Sequence, residues 1–467
     1  MMTARAMVKD VREQPARVSV IAPESLGATA IAALRARGIE ARAAERAGDG
    51  DIVAWALDAP PGAATTLELA QACAHAAATG RPICLLAPPP KGSGRAAIER
   101  AAALAYLRAH GAALAHDVDA WLEAVVALVR FGMPEGPRAA IVAPAGSWLE
   151  AQAHAIVAEA EALGLRPPKL EASGTDAVLY DPAAGAPPAQ PLAIPIVARA
   201  ELGSDEPALY GARAALAAID VLGHAAERIA VGLGPAPKTA SAELEIDRDL
   251  LVRQLGKLAS AGRVGDHETK VLLRAYKVPI TRQVVATTPS AAVKGARAVG
   301  FPVELKPWGN DLPTEPAGCP VERDVTSDAL VRRAYSSVLA AAGRNLDTGA
   351  VIVREHPPLG RDLSIAFHKL PHLGWTVVLD APGAPHIAAA PAPLRLLDAQ
   401  RLAAAIVASR AGDPEPDRAG LANLVRRVSH LVVDLDGRIS KLELPRVVVG
   451  GRGSRSVVVD AWCELVS

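Results

Sequence analysis

Few residues in this 467-residue chain have types and spacings that suggest chemistry, and one lysine leads them. Phe301-Pro302-Val303-Glu304-Leu305-Lys306 reads as a strand that ends on a cation. A lysine fixed on a rigid strand can meet a phosphate oxygen as a localised point charge. Lys91-Gly92-Ser93-Gly94 is a second candidate, ahead of a long helical stretch. Free backbone N–H groups, a helix N-terminus and a lysine together favour an anion. The run lacks the GxxxxGK[ST] spacing, however, and fits a solvated loop more readily. His110 and His116, further on, read as surface histidines. Cys73, Cys84, Cys319 and Cys463 are scattered without CxxC spacing, so no zinc site is implied. Cys84 lies in an apolar run and reads as a buried thiol.

The elements that must position Lys306 start at His267. A helix to Tyr276 carries Glu268 and Lys270 on its polar side and Val271, Leu272, Leu273 and Tyr276 as apolar positions. A break at Lys277-Val278-Pro279 leads to a β-branched run, Ile280 to Val285. A second helix is expected from a Ser290 cap to Gly300, with Ala291, Val293, Ala296 and Val299 inward. Helix, strand, helix and strand ending in lysine is a nucleotide-site layout, and it also fits an ordinary βαβ unit with a surface lysine.

The rest of the chain is organised in three parts: 17–132, 137–235 and 243–467. In the first, strands at Val18–Ala22, Ile52–Leu57 and Pro82–Ala87 alternate with helices at Ala28–Arg37 and Leu67–Ala78. In the second, strands at Ala139–Ala143, Asp176–Tyr180 and Leu192–Val197 alternate with helices at Trp148–Leu163 and Ala208–Leu222. Such alternation means parallel sheets with crossovers, whose ligands bind beyond the C-terminal strand ends. Gly232–Ser241 has linker composition. Lys and Arg together number 50, as do Asp and Glu, so no net field points to nucleic acid or an anionic membrane. No stretch approaches the roughly 18 apolar residues of a membrane span, and the N-terminal residues carry no apolar signal region. A cytoplasmic protein is the expectation.

Tyr276-Lys277-Val278-Pro279 and Gly300-Phe301-Pro302-Val303-Glu304-Leu305-Lys306 resemble the opening of the ATP-grasp module of ADP-forming acyl-CoA synthetases, relatives of succinyl-CoA synthetase. The resemblance implies an α/β fold: two flavodoxin-like parallel α/β domains followed by an ATP-grasp module. It implies ATP or ADP, Mg²⁺ and CoA as cofactors, and a homo- or hetero-oligomer. Lys306 takes the place of the phosphate-contacting lysine. Val353-Arg354-Glu355 ends the strand that leads to the adenine hinge. Gly360-Arg361-Asp362-Leu363 resembles G-x-E-L, which makes Asp362 the ribose-facing carboxylate. Lys441-Leu442-Glu443-Leu444-Pro445-Arg446-Val447 resembles E-L-D-I-N-P-L, which makes Glu443 the magnesium carboxylate.

The chain departs from that pattern at three places. Arg100 stands where the phosphate-carrying histidine belongs, and a guanidinium has no free lone pair to attack with. The phosphate loop H-K-S-D-x-G-G-V is replaced by residues 308–321, which keep Gly318 as a candidate nucleotide contact but contain three prolines without N–H donors. Pro445 replaces the magnesium asparagine. The expected function is that of a divergent acyl-CoA synthetase. It would bind nucleotide with impaired or absent phospho-histidine catalysis and act as a ligand-binding or partner subunit. The alternative is an active acetate or acyl-CoA ligase using ATP, CoA and a carboxylic acid.

Overall fold

The computed structural model describes residues 17–46, 51–90, 94–162, 167–184, 192–198, 207–258, 262–310, 312, 318–342, 349–382, 387–407, 415–451 and 453–466. Lys91, Gly92 and Ser93 of the glycine loop, Asp311 and residues 313–317 of the loop after Lys306, and residues 383–386 lie outside the described residues. The chain divides at Gly234–Pro235 into two units.

The first unit opens with apolar runs that become parallel strands: β1 (Val18–Ile21), β2 (Ala41–Ala43), β3 (Ile52–Ala56), β4 (Cys84–Leu86) and β5 (Ala113–Ala115). Their order is β2-β1-β3-β4-β5, the flavodoxin-like arrangement. The crossovers are α1 (Glu24–Arg35), α2 (Ala63–Ala78), α3 (Arg95–Ala109) and α4 (Val118–Arg130). Asp117 caps α4 by accepting from the Ala120 N–H. β6 (Ala139–Val142), β7 (Ala177–Tyr180), β8 (Ala193–Val197) and β9 (Leu209–Tyr210) form a second parallel sheet, served by α5 (Trp148–Ala162) and α6 (Ala212–Val231). Lys169 bridges Ala140 in parallel, so the second sheet repeats the outline of the first.

One apolar core runs from the first sheet into the second, through Trp121 and Leu128 of α4 and Ile219 and Leu222 of α6. A buried ion pair crosses with it: Arg37 Nη1 donates to Glu123 Oε1 at 2.7 Å and stacks its guanidinium on the Tyr210 ring. Burial pushes the Glu123 carboxyl up, against the opposing pull of Arg37. Helix α6 continues to Val231, past the expected end at Leu222, because Gly223 is a packing residue rather than a stop. A Cβ there would lie 2.4 Å from the backbone of Gly136 and Pro137.

The second unit is antiparallel throughout its two sheets. The smaller has the order β11-β14-β12-β13, from β11 (Gln283–Ala286), β12 (Val303–Pro307), β13 (Glu322–Val325) and β14 (Val351–Glu355). Helices α9 (Pro289–Val299) and α10 (Asp328–Ala342) pack on it through Val293, Ala296, Val331 and Tyr335. Thr288, not Ser290, caps α9, and Pro289 opens its first turn. The larger sheet has the order β10-β19-β18-β15-β16-β17. Its strands are β10 (Gly262–Val264), β15 (Gly360–Leu370), β16 (Gly374–Asp380), β17 (Ala388–Pro391), β18 (Ile439–Gly450) and β19 (Val457–Leu465). The core on one of its faces is built with α7 (Arg248–Leu255), α8 (Asp266–Ala275), α11 (Leu396–Ile406) and α12 (Arg418–Asp434). The α/β class with parallel sheets stands, and no helix among the described residues is long and apolar enough to cross a membrane.

Gly223→Ala separates helix propensity from packing. Propensity alone favours alanine by about 1 kcal/mol. The backbone overlap reverses that sign, and a loss on the order of 1–3 kcal/mol is expected in chemical denaturation.

Candidate functional site: a charged cleft on β12, α8 and β19

β12 and β14 carry polar residues at positions where an apolar strand would be cheaper. Glu304 and Lys306 alternate along β12, Arg354 sits in β14, and Asp460 follows three valines in β19. All four are buried, Arg354 completely. Buried charges of this kind must be paired. Asp266 and Lys270, one turn apart on α8, complete the set, giving three cations and three carboxylates.

The pairing converges on residues 459–461 of β19. Lys306 Nζ lies 2.7 Å from Asp460 Oδ1 and 3.2 Å from Asp266 Oδ2. Lys270 Nζ donates to Asp266, Thr281 and Gln283 side-chain oxygens and to the Val459 carbonyl at 2.7 Å. Arg354 donates from Nε and Nη2 to Glu304 Oε2 and from Nη1 to the Val459 carbonyl. The Ala461 N–H donates to Asp266 Oδ1 at 3.0 Å. Burial alone would raise the Asp266 pKa; the charges of Lys270, Lys306 and Arg354 overcome it and hold the carboxyl well below the usual carboxylate range. Burial pulls Lys270 down to about 8, with the Asp266 charge opposing, and the oxygens around its Nζ can all accept.

Asp266, Lys306 and Asp460 border an open cleft whose lining also includes Arg263, Asn310 and Trp462. The loop after β12 folds onto the start of α8: Asn310 Oδ1 accepts from the Gly265 N–H at 3.0 Å, and Trp308 Nε1 donates to Glu268 at 3.1 Å. Gly265 admits that approach, since a Cβ would stand 2.6 Å from the Gly309 carbonyl.

Of the residues singled out in sequence, Lys306 lies in this cleft. Glu443 is the register partner of Trp462, and its carboxylate is held by Lys441 Nζ at 2.6 Å. Asp362 accepts from Arg446 Nε at 3.1 Å, and Arg446 is in register with Asp460. Gly318 is exposed with a φ of 96°. Val353, Arg354 and Glu355 lie apart from the cleft lining. β14 is flanked on both sides, Val353 is in register with Val284 and Leu305, and the Glu355 N–H donates to Arg282. The Glu355 carboxylate is engaged by Arg282 and Arg455, whose charges outweigh burial and lower its pKa. Lys270 is a correction: it is 1% exposed, on the face that meets β19, and not on a solvated side of the helix. The helical period assumes that an inward face is apolar, and here it is charged. Asp266, Asp460, Arg263 and Trp462 went unread as site residues, although a lone aspartate in Val457-Val458-Val459-Asp460-Ala461 is a signal of a buried pair.

The metal question follows from the donors. Glu443 offers a hard oxygen and Pro445 offers none, and no group of three or more His, Cys, Asp or Glu among the described residues is placed to hold a metal. In the first unit, Arg100 is part of the continuous helix α3. His116 is exposed, with Nδ1 2.9 Å from the Ala87 carbonyl and Nε2 2.9 Å from Arg108. His110, by contrast with the surface expectation, is half-buried against the Tyr106 ring, and burial lowers its pKa. Cys84 is buried and its thiol is pushed up to about 12.

Residues 258–465, within the second unit, match the ATP-grasp domain family. The chain is 23% identical over 209 residues to the beta subunit of acetate–CoA ligase [ADP-forming] II of Pyrococcus furiosus, a match covering 42% of this chain and 89% of that one. It is 24% identical over 208 residues to the 4-hydroxybutyrate–CoA ligase [ADP-forming] of Nitrosopumilus maritimus, covering 42% of this chain and 30% of that one. Among solved structures it is similar to a dinucleotide forming acetyl-coenzyme A synthetase 1 of Ca. Korarchaeum cryptofilum, at 24% identity and a TM-score of 0.41, over 47% of this chain and all of that one. Residues 258–465 therefore carry an ATP-grasp domain, and over that part the chain is similar to ADP-forming acyl-CoA ligases.

Asp266→Asn leaves buried Lys270 and Lys306 short of a counter-charge, and a loss of about 3–5 kcal/mol is expected in urea unfolding at neutral pH. A carboxylate with a depressed folded pKa contributes stability above its unfolded value and loses it as pH falls below about 4. The stability–pH curve of the variant should therefore be flatter than wild type between about pH 4 and pH 2.

Proposed function

We propose that this chain binds an adenine nucleotide in the cleft beside Lys306 and Asp460, lacks the phospho-histidine step, and acts as a ligand-binding or partner subunit in acyl-CoA ligase chemistry. The observation that carries the reading is the pairing of Lys306. Its ammonium is balanced by two carboxylates in the folded chain, which suits a fixed wall of a binding cleft better than a mobile clamp on a transferring phosphoryl group. Arg100, in place of the carrier histidine, adds support because a guanidinium remains protonated. Glu443 would be the carboxylate offered to nucleotide-borne Mg²⁺, and the ion would supply charge neutralisation of the phosphates. CoA or an acyl-CoA is the second ligand class that the likeness suggests, in the first unit.

A second reading, the active ligase, has one observation in its favour. Arg108 can only donate, so His116 Nε2 accepts and Nδ1 carries the proton to the Ala87 carbonyl. This tautomer leaves Nε2 as the basic nitrogen, beyond the end of β5.

Calorimetric titration of the full chain with ADP–Mg²⁺, alongside labelling with γ-³²P ATP, separates the two. Saturable binding without acid-labile protein phosphate is expected. Acid-labile phosphate that disappears in His116→Asn would establish the ligase reading, and absence of saturable binding would refute the nucleotide site.

A further inference from the structure

Arg263 and Lys306 line the cleft, Lys441 lies 4.8 Å from the centre of the Trp462 ring beside it, and the three cations differ in how their charge is met. Lys306 has two carboxylates at 2.7 and 3.2 Å. Lys441 has Glu443 at 2.6 Å. Arg263, on β10, makes no ion pair with the described residues; its guanidinium lies 4.5 Å from the centre of the Trp462 ring. Its Nε is buried and has no hydrogen-bond partner. Both Arg263 and Trp462 line the cleft.

We propose that Arg263, and not Lys306, receives the anionic end of the ligand: the terminal phosphate of a nucleoside di- or triphosphate. The inference rests on the nucleotide-binding reading above and assigns its phosphate contact. A π face stabilises a cation and leaves its N–H donors in the guanidinium plane uncommitted. Phosphate oxygens complement that planar fork through charge-assisted bonds. Lys306 would have to give up one of two carboxylates to make the same contact. Trp462 sets the plane of the guanidinium, and the register of Arg263 with Glu464 fixes the strand that carries it.

The test is the affinity of the full chain for ADP–Mg²⁺ by calorimetry, for wild type, Arg263→Ala and Arg263→Lys, with thermal unfolding of each. The expected result is a loss of at least about tenfold in Arg263→Ala at an unchanged unfolding midpoint, with Arg263→Lys in between, since lysine restores charge without the fork. Wild-type-like affinity in Arg263→Ala would overturn the inference and leave the nucleotide site standing. No saturable binding by wild type would remove the site and the inference together. An equal loss in both variants with a lowered midpoint would mark Arg263 as structural and also overturn it. If Arg263→Ala does not fold, Arg263→Gln keeps a stem over Trp462 and takes its place, with the same outcomes.

Discussion

The contact between Lys306 and the carboxylates of Asp266 and Asp460 is the constraint on which the second unit depends. The small sheet and the large sheet have separate apolar cores. Charges join them: Lys306 and Arg354 reach from the small sheet, and Asp460 and the Val459 carbonyl answer from β19. Isolated, any of these groups would be very costly to bury. Together they are neutral, and the remaining N–H and C=O groups of residues 459–461 supply the hydrogen bonds that such a network needs. The geometry is directional where an apolar contact would slide, so the strand register that places the cleft is fixed by it.

That network also shapes the functional reading. A cleft whose lysine is already balanced offers a preorganised wall and little free positive charge. On the proposed nucleotide reading, recognition of the anion then falls to groups at its border. The segment after β12 is folded down onto the opening of α8, where Asn310 accepts from the Gly265 N–H and Trp308 donates to Glu268.

The apolar runs made most of the fold legible. Val18–Ile21, Cys84–Leu86, Ala139–Val142 and Val351–Glu355 became strands because β-branched and apolar residues cluster there between turn residues. β2, β5 and β9 are two or three residues long and carry too little pattern to read. Within the site, Lys306 was legible because it ends a strand, whereas Lys270 was misplaced because its helix buries a polar stripe. Asp460 and Arg263 matter through partners that are about 150–200 residues away in sequence (Lys306 and Trp462), a relation that local spacing does not encode.

The most direct test of the account is a double-mutant cycle on Lys306→Met and Asp460→Asn, read by urea unfolding of the full chain at neutral pH. The account predicts that the double variant is more stable than the sum of the single losses allows, with a coupling energy of at least about 1–3 kcal/mol. Additivity to within about 0.5 kcal/mol would contradict it, because the two groups would then not depend on each other in the folded protein.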